Sequence, residues 1–199
     1  MNFFTHFITE SIVFGILPID EYNFELPQKD ILLLENIKHL EKKKEFVSSR
    51  FLAKKMLEKQ GFIYEGLEKN AQNAPFINQT NIHISLSHSD KLTTFVINSE
   101  NKIGIDIEAP RTSLLSLQYK FLSEKERNFT DNNLILLTYF WCAKEALYKL
   151  YQQKKLSFAK DMYIDWENKK AILFPDDNKK QIFNLYHLEY EGFYLVCIY

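Results

Sequence analysis

The segment NKIGIDIEAP, residues 101–110, constrains the fold more than any other stretch of this chain. Its residues alternate in character: Ile103, Ile105 and Ile107 fall on one side, and Gly104, Asp106 and Glu108 on the other. Successive side chains of a β-strand point to opposite faces, so the pattern demands a strand, and Pro110 stops it. Two carboxylates then share one strand face, just past a glycine that leaves room for a ligand. Such an oxygen-rich patch suits a hard cation such as Mg²⁺. A lone Asp-x-Glu is more often the polar outer face of an edge strand, so a third ligand is needed.

The rest of the chain builds two comparable halves around such strands. An apolar strand over 11–19 leads into two helical stretches. The second, about 37–60, repeats apolar residues at Phe46, Phe51 and Met56 and ends at Gly61. HISLSHS and LTTFVINS read as a hairpin turned at Asp90–Lys91. In the second half, Ser123 with Glu126 has the form of a capping box. A helix over about 131–153 follows, then strands near 162–166, 171–174, 182–189 and 193–199. The stretches ISLSHSDKLTTFVIN and LYHLEYEGFYLVCIY resemble one another loosely. The expectation is an α+β fold of two similar halves, 1–103 and 104–199, each an antiparallel sheet packed by helices. The active site is expected between them.

Composition removes several classes of function. With 46% hydrophobic and 26% charged residues the chain has the make-up of a soluble globular protein. No apolar run approaches the ~18–20 residues that span a bilayer. The start, MNFFTHFITE, has no basic region and carries Glu10 early, which argues against a secretory signal. Cys142 and Cys197 show no CxxC spacing and sit in apolar surroundings, as free buried thiols of a reducing compartment do. A cytoplasmic protein is expected. The net charge of −1 gives no field for nucleic acid. Locally, residues 38–59 carry eight basic residues against three acids, an excess of five positive charges. That helix is either a solvated face or a surface that meets a polyanion.

The third carboxylate comes from WCAKEALYK, residues 141–149. On a helix Trp141, Glu145, Tyr148 and Lys149 share one face, with Lys144 at its border. Ala143, Ala146, Leu147 and Leu150 fall opposite and pack. A Glu-to-Lys pair four residues apart is ordinarily helix support of ~0.3–0.5 kcal/mol. In the functional reading Glu145 completes a metal site with Asp106 and Glu108, and Lys144 and Lys149 face phosphates bridged by the ion. Ser87-His88-Ser89-Asp90 is not a hydrolase set, because neighbours on a strand cannot adopt the geometry of a triad.

Taken in order, SLSHS, GIDIE and W-x-x-K-E-A-x-x-K resemble the 4′-phosphopantetheinyl transferase superfamily, over roughly residues 40 to 150. The length and two-half layout resemble its longer, surfactin-type pseudo-dimeric class. The resemblance implies transfer of the phosphopantetheine arm of coenzyme A (CoA) to a serine of an apo acyl or peptidyl carrier protein, releasing adenosine 3′,5′-bisphosphate. It implies that Asp106, Glu108 and Glu145 hold Mg²⁺, with Mn²⁺ able to substitute, and that Asp106, Glu145 and Lys149 are catalytic. Glu145, directly or through a metal-bound water, is the implied base for the serine hydroxyl. Lys149 and Lys144 are implied at the CoA phosphates. Ser87 and His88 match positions that meet the nucleotide, as do Ala74 and Pro75 through their backbone. Arg50, with Lys42 or Lys43, is implied at the 3′-phosphate. Members of the class usually carry Gly-Lys-Pro before the SHS motif; here the stretch is Asn73-Ala74-Pro75, without the lysine. A duplicated chain of this class is expected as a monomer. The rival readings are a relative that grips CoA or a carrier without turnover, and a metal-dependent phosphodiesterase.

Overall fold

The run IVFGILP is apolar on both faces, and it forms an inner strand. The computed structural model describes residues 3–78, 81–152, 156–175 and 179–199. In it the chain divides into two units, Met1–Lys102 and Ile103–Tyr199. The first unit opens with β1 (Phe4–Phe7) and β2 (Ile12–Pro18). Helices α1 (Gln28–Glu35) and α2 (Leu40–Lys59) follow, then a two-residue ribbon of β3 (Glu68–Lys69) and β4 (Pro75–Phe76). The hairpin read from the sequence is present as β5 (His83–His88) and β6 (Leu92–Asn98).

All pairings are antiparallel in the order β1-β2-β6-β5. The edge strand β1 escaped the sequence reading because FTHF is too short for an alternation to stand out. Helix α2 lies across β2 and β6 through Leu52, Met56 and Leu57, all buried. It comes so close that a Cβ on Gly15 would stand 2.6 Å from the Met56 Sδ.

The second unit repeats the plan with different lengths. It contains β7 (Gly104–Glu108), α3 (Ser113–Phe121), α4 (Glu124–Thr130) and α5 (Leu134–Tyr151). Four strands follow: β8 (Met162–Asp165), β9 (Lys170–Leu173), β10 (Gln181–Tyr190) and β11 (Phe193–Ile198). Their order is β7-β11-β10-β9-β8. In each unit the strand immediately before the helices pairs with the last strand of the closing hairpin: β2 with β6, and β7 with β11. The α+β architecture of antiparallel sheets packed by helices is the one the hydrophobic pattern calls for. The β10–β11 hairpin closes through Glu191 and Gly192, both at positive φ, 51° and 78°, the handedness that suits a two-residue turn.

Helix α5 starts three residues later than its pattern indicates. Asp131 and Asn132 adopt left-handed φ of 43° and 55°, and the Asn133 side chain accepts from Ile135 and Leu136 N–H. That cap begins the helix. Its inner face, with Phe140, Ala143, Ala146, Leu147 and Leu150, fills the second core against Leu173, Val196 and Ile198. Among the described residues no helix is long and apolar enough to cross a membrane. Cys142 and Cys197 are free and buried, as their surroundings in sequence imply.

Candidate active site

Gly104 decides how close α5 approaches β7. A Cβ there would stand 1.9 Å from the Ala146 carbonyl oxygen and 3.0 Å from the Leu150 nitrogen. Such distances are impossible for any other residue unless the helix moves. The expectation that this glycine leaves room for a ligand is therefore corrected: the room is filled by the helix backbone. The consequence is functional all the same. With α5 pressed onto the strand, its side chains one turn apart, Glu145 and Lys149, are delivered beside the β7 carboxylates.

Lys149 reaches Asp106 directly. Its ammonium donates to Asp106 Oδ1 at 2.7 Å and to the Ile105 carbonyl at 3.1 Å. Asp106 is almost wholly buried, its side chain 6% exposed against 28% for Lys149. Glu108, at the mouth of the strand, accepts from the Trp141 indole N–H at 3.3 Å and has Arg111 Nη2 3.9 Å away. Trp141 is itself held edge-on by Phe121, and the Arg111 guanidinium lies over its ring. Glu145 is half-buried. Burial pushes its carboxyl above the usual 4.5, and the charge of Asp106 adds to the rise, as to a lesser extent does that of Glu108; Lys149 and Arg111 pull the other way. Cys142 is pushed well up by burial and then by Asp106 and Glu108, so it is a neutral, unreactive thiol.

The structure thus brings Asp106, Glu108, Glu145 and Lys149 into one electrostatic neighbourhood, as the motifs imply. Carboxylate oxygens are the donors a hard divalent ion takes, and the charges of Asp106 and Glu108 add to the rise of the Glu145 carboxyl. Among the described residues, no three His, Cys, Asp or Glu side chains are gathered as tightly as an ion requires. The ammonium of Lys149 sits on Asp106.

Two expectations about cations are overturned. Lys144 faces no phosphate: it is fully buried, with its ammonium 2.7 Å from Glu126 Oε1 and donating to the Phe158 and Met162 carbonyls at 2.9 and 2.6 Å. Sitting one residue before Glu145 turns it about 100° round the helix, toward α4 and β8. Its partner Glu126 was legible only as a capping residue. It does accept from Ser123 N–H at 2.8 Å, and it also accepts from Ile164 N–H at 2.8 Å, so it ties α4 to the edge strand β8. Arg50 likewise turns inward. Its Nε donates to Asp30 Oδ1 at 2.9 Å, and Tyr64 donates to the other oxygen at 2.5 Å. Asp30 is 0% exposed and Arg50 only 7%, so the pair fastens α1 to α2 and presents no guanidinium to a 3′-phosphate.

The remaining positions lie on the first unit. Lys42 donates to both oxygens of Glu45, at 2.6 and 2.9 Å, and His88 Nδ1 stands 3.5 Å from the same carboxylate. Lys43 is half-buried and Ser87 is buried in β5. Ala74 does not leave its backbone open: its N–H donates to the Asn70 side chain and its carbonyl accepts from Asn70 N–H, both at 2.9 Å. Pro75 continues from there into β4, opposite Lys69. Asn73 takes a φ of 70°, a left-handed conformation that asparagine tolerates better than most residues. Lys42, Lys44, Lys54 and Lys55 pair with the helix's own acids Glu45, Glu41 and Glu58, and acids from outside the helix offset part of its positive excess, Glu21 at Lys44 and Asp30 at Arg50. Sequence reasoning missed Arg111, although it stands just three residues beyond Glu108.

Residues 102–196 match the 4′-phosphopantetheinyl transferase superfamily. No curated protein matches the chain. The matched span takes in the GIDIE strand, the α5 helix and nearly all of the second unit. The match therefore falls in the unit that holds Asp106, Glu108, Glu145 and Lys149, and it supports a transferase.

Proposed function

We propose that the protein transfers the 4′-phosphopantetheine arm of CoA to a serine hydroxyl of an apo acyl or peptidyl carrier protein. The observation that carries this reading is the meeting of Asp106 with Lys149, and of both with Glu145, inside the matched span. Asp106, Glu108 and Glu145 would hold Mg²⁺, or Mn²⁺ in its place. The bound ion would supply a Lewis acid that draws charge off the phosphoryl oxygens.

The protein's own groups do the rest. Glu145, its carboxyl raised toward the working pH by burial, accepts the serine proton. The serine Oγ bonds to the β-phosphorus of CoA as the bond to the α-phosphate oxygen breaks, and adenosine 3′,5′-bisphosphate leaves. Lys149 meets the pyrophosphate and stabilises the charge that gathers there. On the first unit Lys42, Lys43, Ser87 and His88 are assigned to the nucleotide, with the Ala74–Pro75 stretch shaping the loop. Arg50 and Lys144 are left out because both are internal. The protein acts as a cytoplasmic monomer in this reading, in the surfactin-type class.

The test is mass spectrometry of a panel of apo carrier proteins incubated with CoA and Mg²⁺. The wild-type protein adds one phosphopantetheine arm; Glu145→Ala and Asp106→Ala do not. An unmodified panel refutes the reading, and CoA binding by calorimetry without modification identifies a non-catalytic binder instead. Release of adenosine 3′,5′-bisphosphate from CoA with water alone identifies a phosphodiesterase.

A further inference from the structure

A cavity of about 180 Å³ opens between α4, β8 and the turn that follows β8. Its walls are aromatic. Phe140 is 1% exposed, and the ring centroids of Phe129 and Trp166 lie 5.9 and 5.8 Å from its own, with Tyr163 completing the lining. Phe129 is 42% exposed at this opening. Asp165 and Glu167 bring two carboxylates to the cavity against one ammonium, that of Lys125. The third acid of the lining, Glu126, is already paired with buried Lys144. Aromatic faces beside a net negative charge attract a cation and repel phosphate and other anions. The protein's own side chains display that preference: the Lys125 ammonium stands 5.1 Å from the Tyr163 centroid and that of Lys169 4.2 Å from Trp166. Lys125 is exposed and reaches in on a flexible stem, so it is readily displaced. Asn168 donates from its side chain to both oxygens of Asp165, at 3.1 and 3.0 Å, which fixes that carboxylate and leaves it further lone pairs. A planar guanidinium can stack on an aromatic face and pair with such a carboxylate in two parallel bonds; a point-charge ammonium lacks that fork. Size narrows the class further. A cavity of about 150 Å³ holds benzene, so this one takes a group of that order and is too small for a nucleotide.

We propose that the cavity between α4 and β8 binds a guanidinium group carried on a short alkyl stem, that of a free metabolite or of an arginine on a partner protein. The guanidinium plane lies against the aromatic wall, its N–H groups donate to Asp165 and Glu167, and Lys125 swings out to admit it. The cavity shares no residue with the proposed transfer site, and the proposal does not depend on that reaction.

The experiment is a titration of the full chain with n-butylguanidinium, followed through the indole N–H signals in two-dimensional NMR. The chain has two tryptophans, so Trp166 reports on the cavity and Trp141, which does not line it, is the internal control. The Trp166 signal, assigned with Trp166→Phe, moves saturably with half-saturation at about 1 mM or below, while the Trp141 signal stays in place. Asp165→Asn combined with Glu167→Gln weakens binding at least tenfold, Lys125→Met tightens it several-fold, and neutral n-butylurea moves neither signal. Should the double variant fail to fold, Phe129→Ala, at an exposed position, replaces it with the same direction of change. N-acetylarginine amide binding more tightly than free arginine and agmatine identifies a partner's side chain as the source; the reverse order identifies a metabolite. Absence of a saturable Trp166 shift up to about 10 mM, in both the wild type and Lys125→Met, overturns the proposal, as does equal binding of n-butylurea.

Discussion

Lys144→Met is the substitution that best tests how the second unit is held together. It keeps the length of the side chain and removes the ammonium. The wild-type charge is fully buried and makes three contacts, to Glu126 and to the Phe158 and Met162 carbonyls. Removing it leaves two carbonyls short of a donor and Glu126 inside the fold without its counter-charge. Glu126 keeps the N–H groups of Ser123 and Ile164, which limits the damage. Breaking a buried pair by deleting one partner costs about 3–5 kcal/mol. At about 2–4 °C per kcal/mol for a chain of this size, the melting temperature falls by roughly 6–20 °C. The assay is thermal unfolding by circular dichroism, with urea titration as a second measure. Glu126→Gln in the Lys144→Met background restores part of the loss, since a neutral amide needs no counter-ion. A loss below about 1 kcal/mol, together with loss of transfer, would place Lys144 at the phosphates and refute the structural assignment.

Further outcomes follow from the same geometry. The native Glu145 carboxyl holds its proton to higher pH than in the unfolded chain. The stability this contributes is fully present below 4.5 and is lost as pH rises through the raised native value. Without divalent ions, Glu145→Gln abolishes that decline and is the more stable protein at neutral pH; parallel wild-type and variant curves in urea at several pH values would refute it. Gly104→Ala forces a methyl against the Ala146 carbonyl, costs about 1–3 kcal/mol or more, and reduces transfer further by moving α5 off β7. Retention of both stability and turnover would show that the helix can shift freely. Arg50→Met strands the fully buried Asp30 and lowers stability by about 3–5 kcal/mol, read in urea, without a selective effect on CoA affinity at temperatures where the variant is folded.

Local chemistry made much of this protein legible. The alternation of GIDIE called for a strand with Asp106 and Glu108 on one face, and α5 carries Glu145 and Lys149 together because four residues make about one turn. The capping box of Ser123 and Glu126, the hairpin over residues 83–98 and the free buried thiols were equally readable, since each rests on contacts only a few residues apart or on apolar surroundings. What failed were judgements about direction. Lys144, Lys149 and Arg50 look alike as cations on helices, and their spacing places each near a face without saying what covers that face.

Sequence alone therefore determined the longer elements, their order and the group of acids and lysine that could share a site. Tertiary packing decided which cations stay inside: Glu126 from α4 captures Lys144, and Asp30 from α1 captures Arg50. It also turned the space beside Gly104 into a helix contact. The reason is that burying a charge is tolerable only beside a partner of opposite sign, and those partners are 18 and 20 residues away along the chain, where no periodicity connects them.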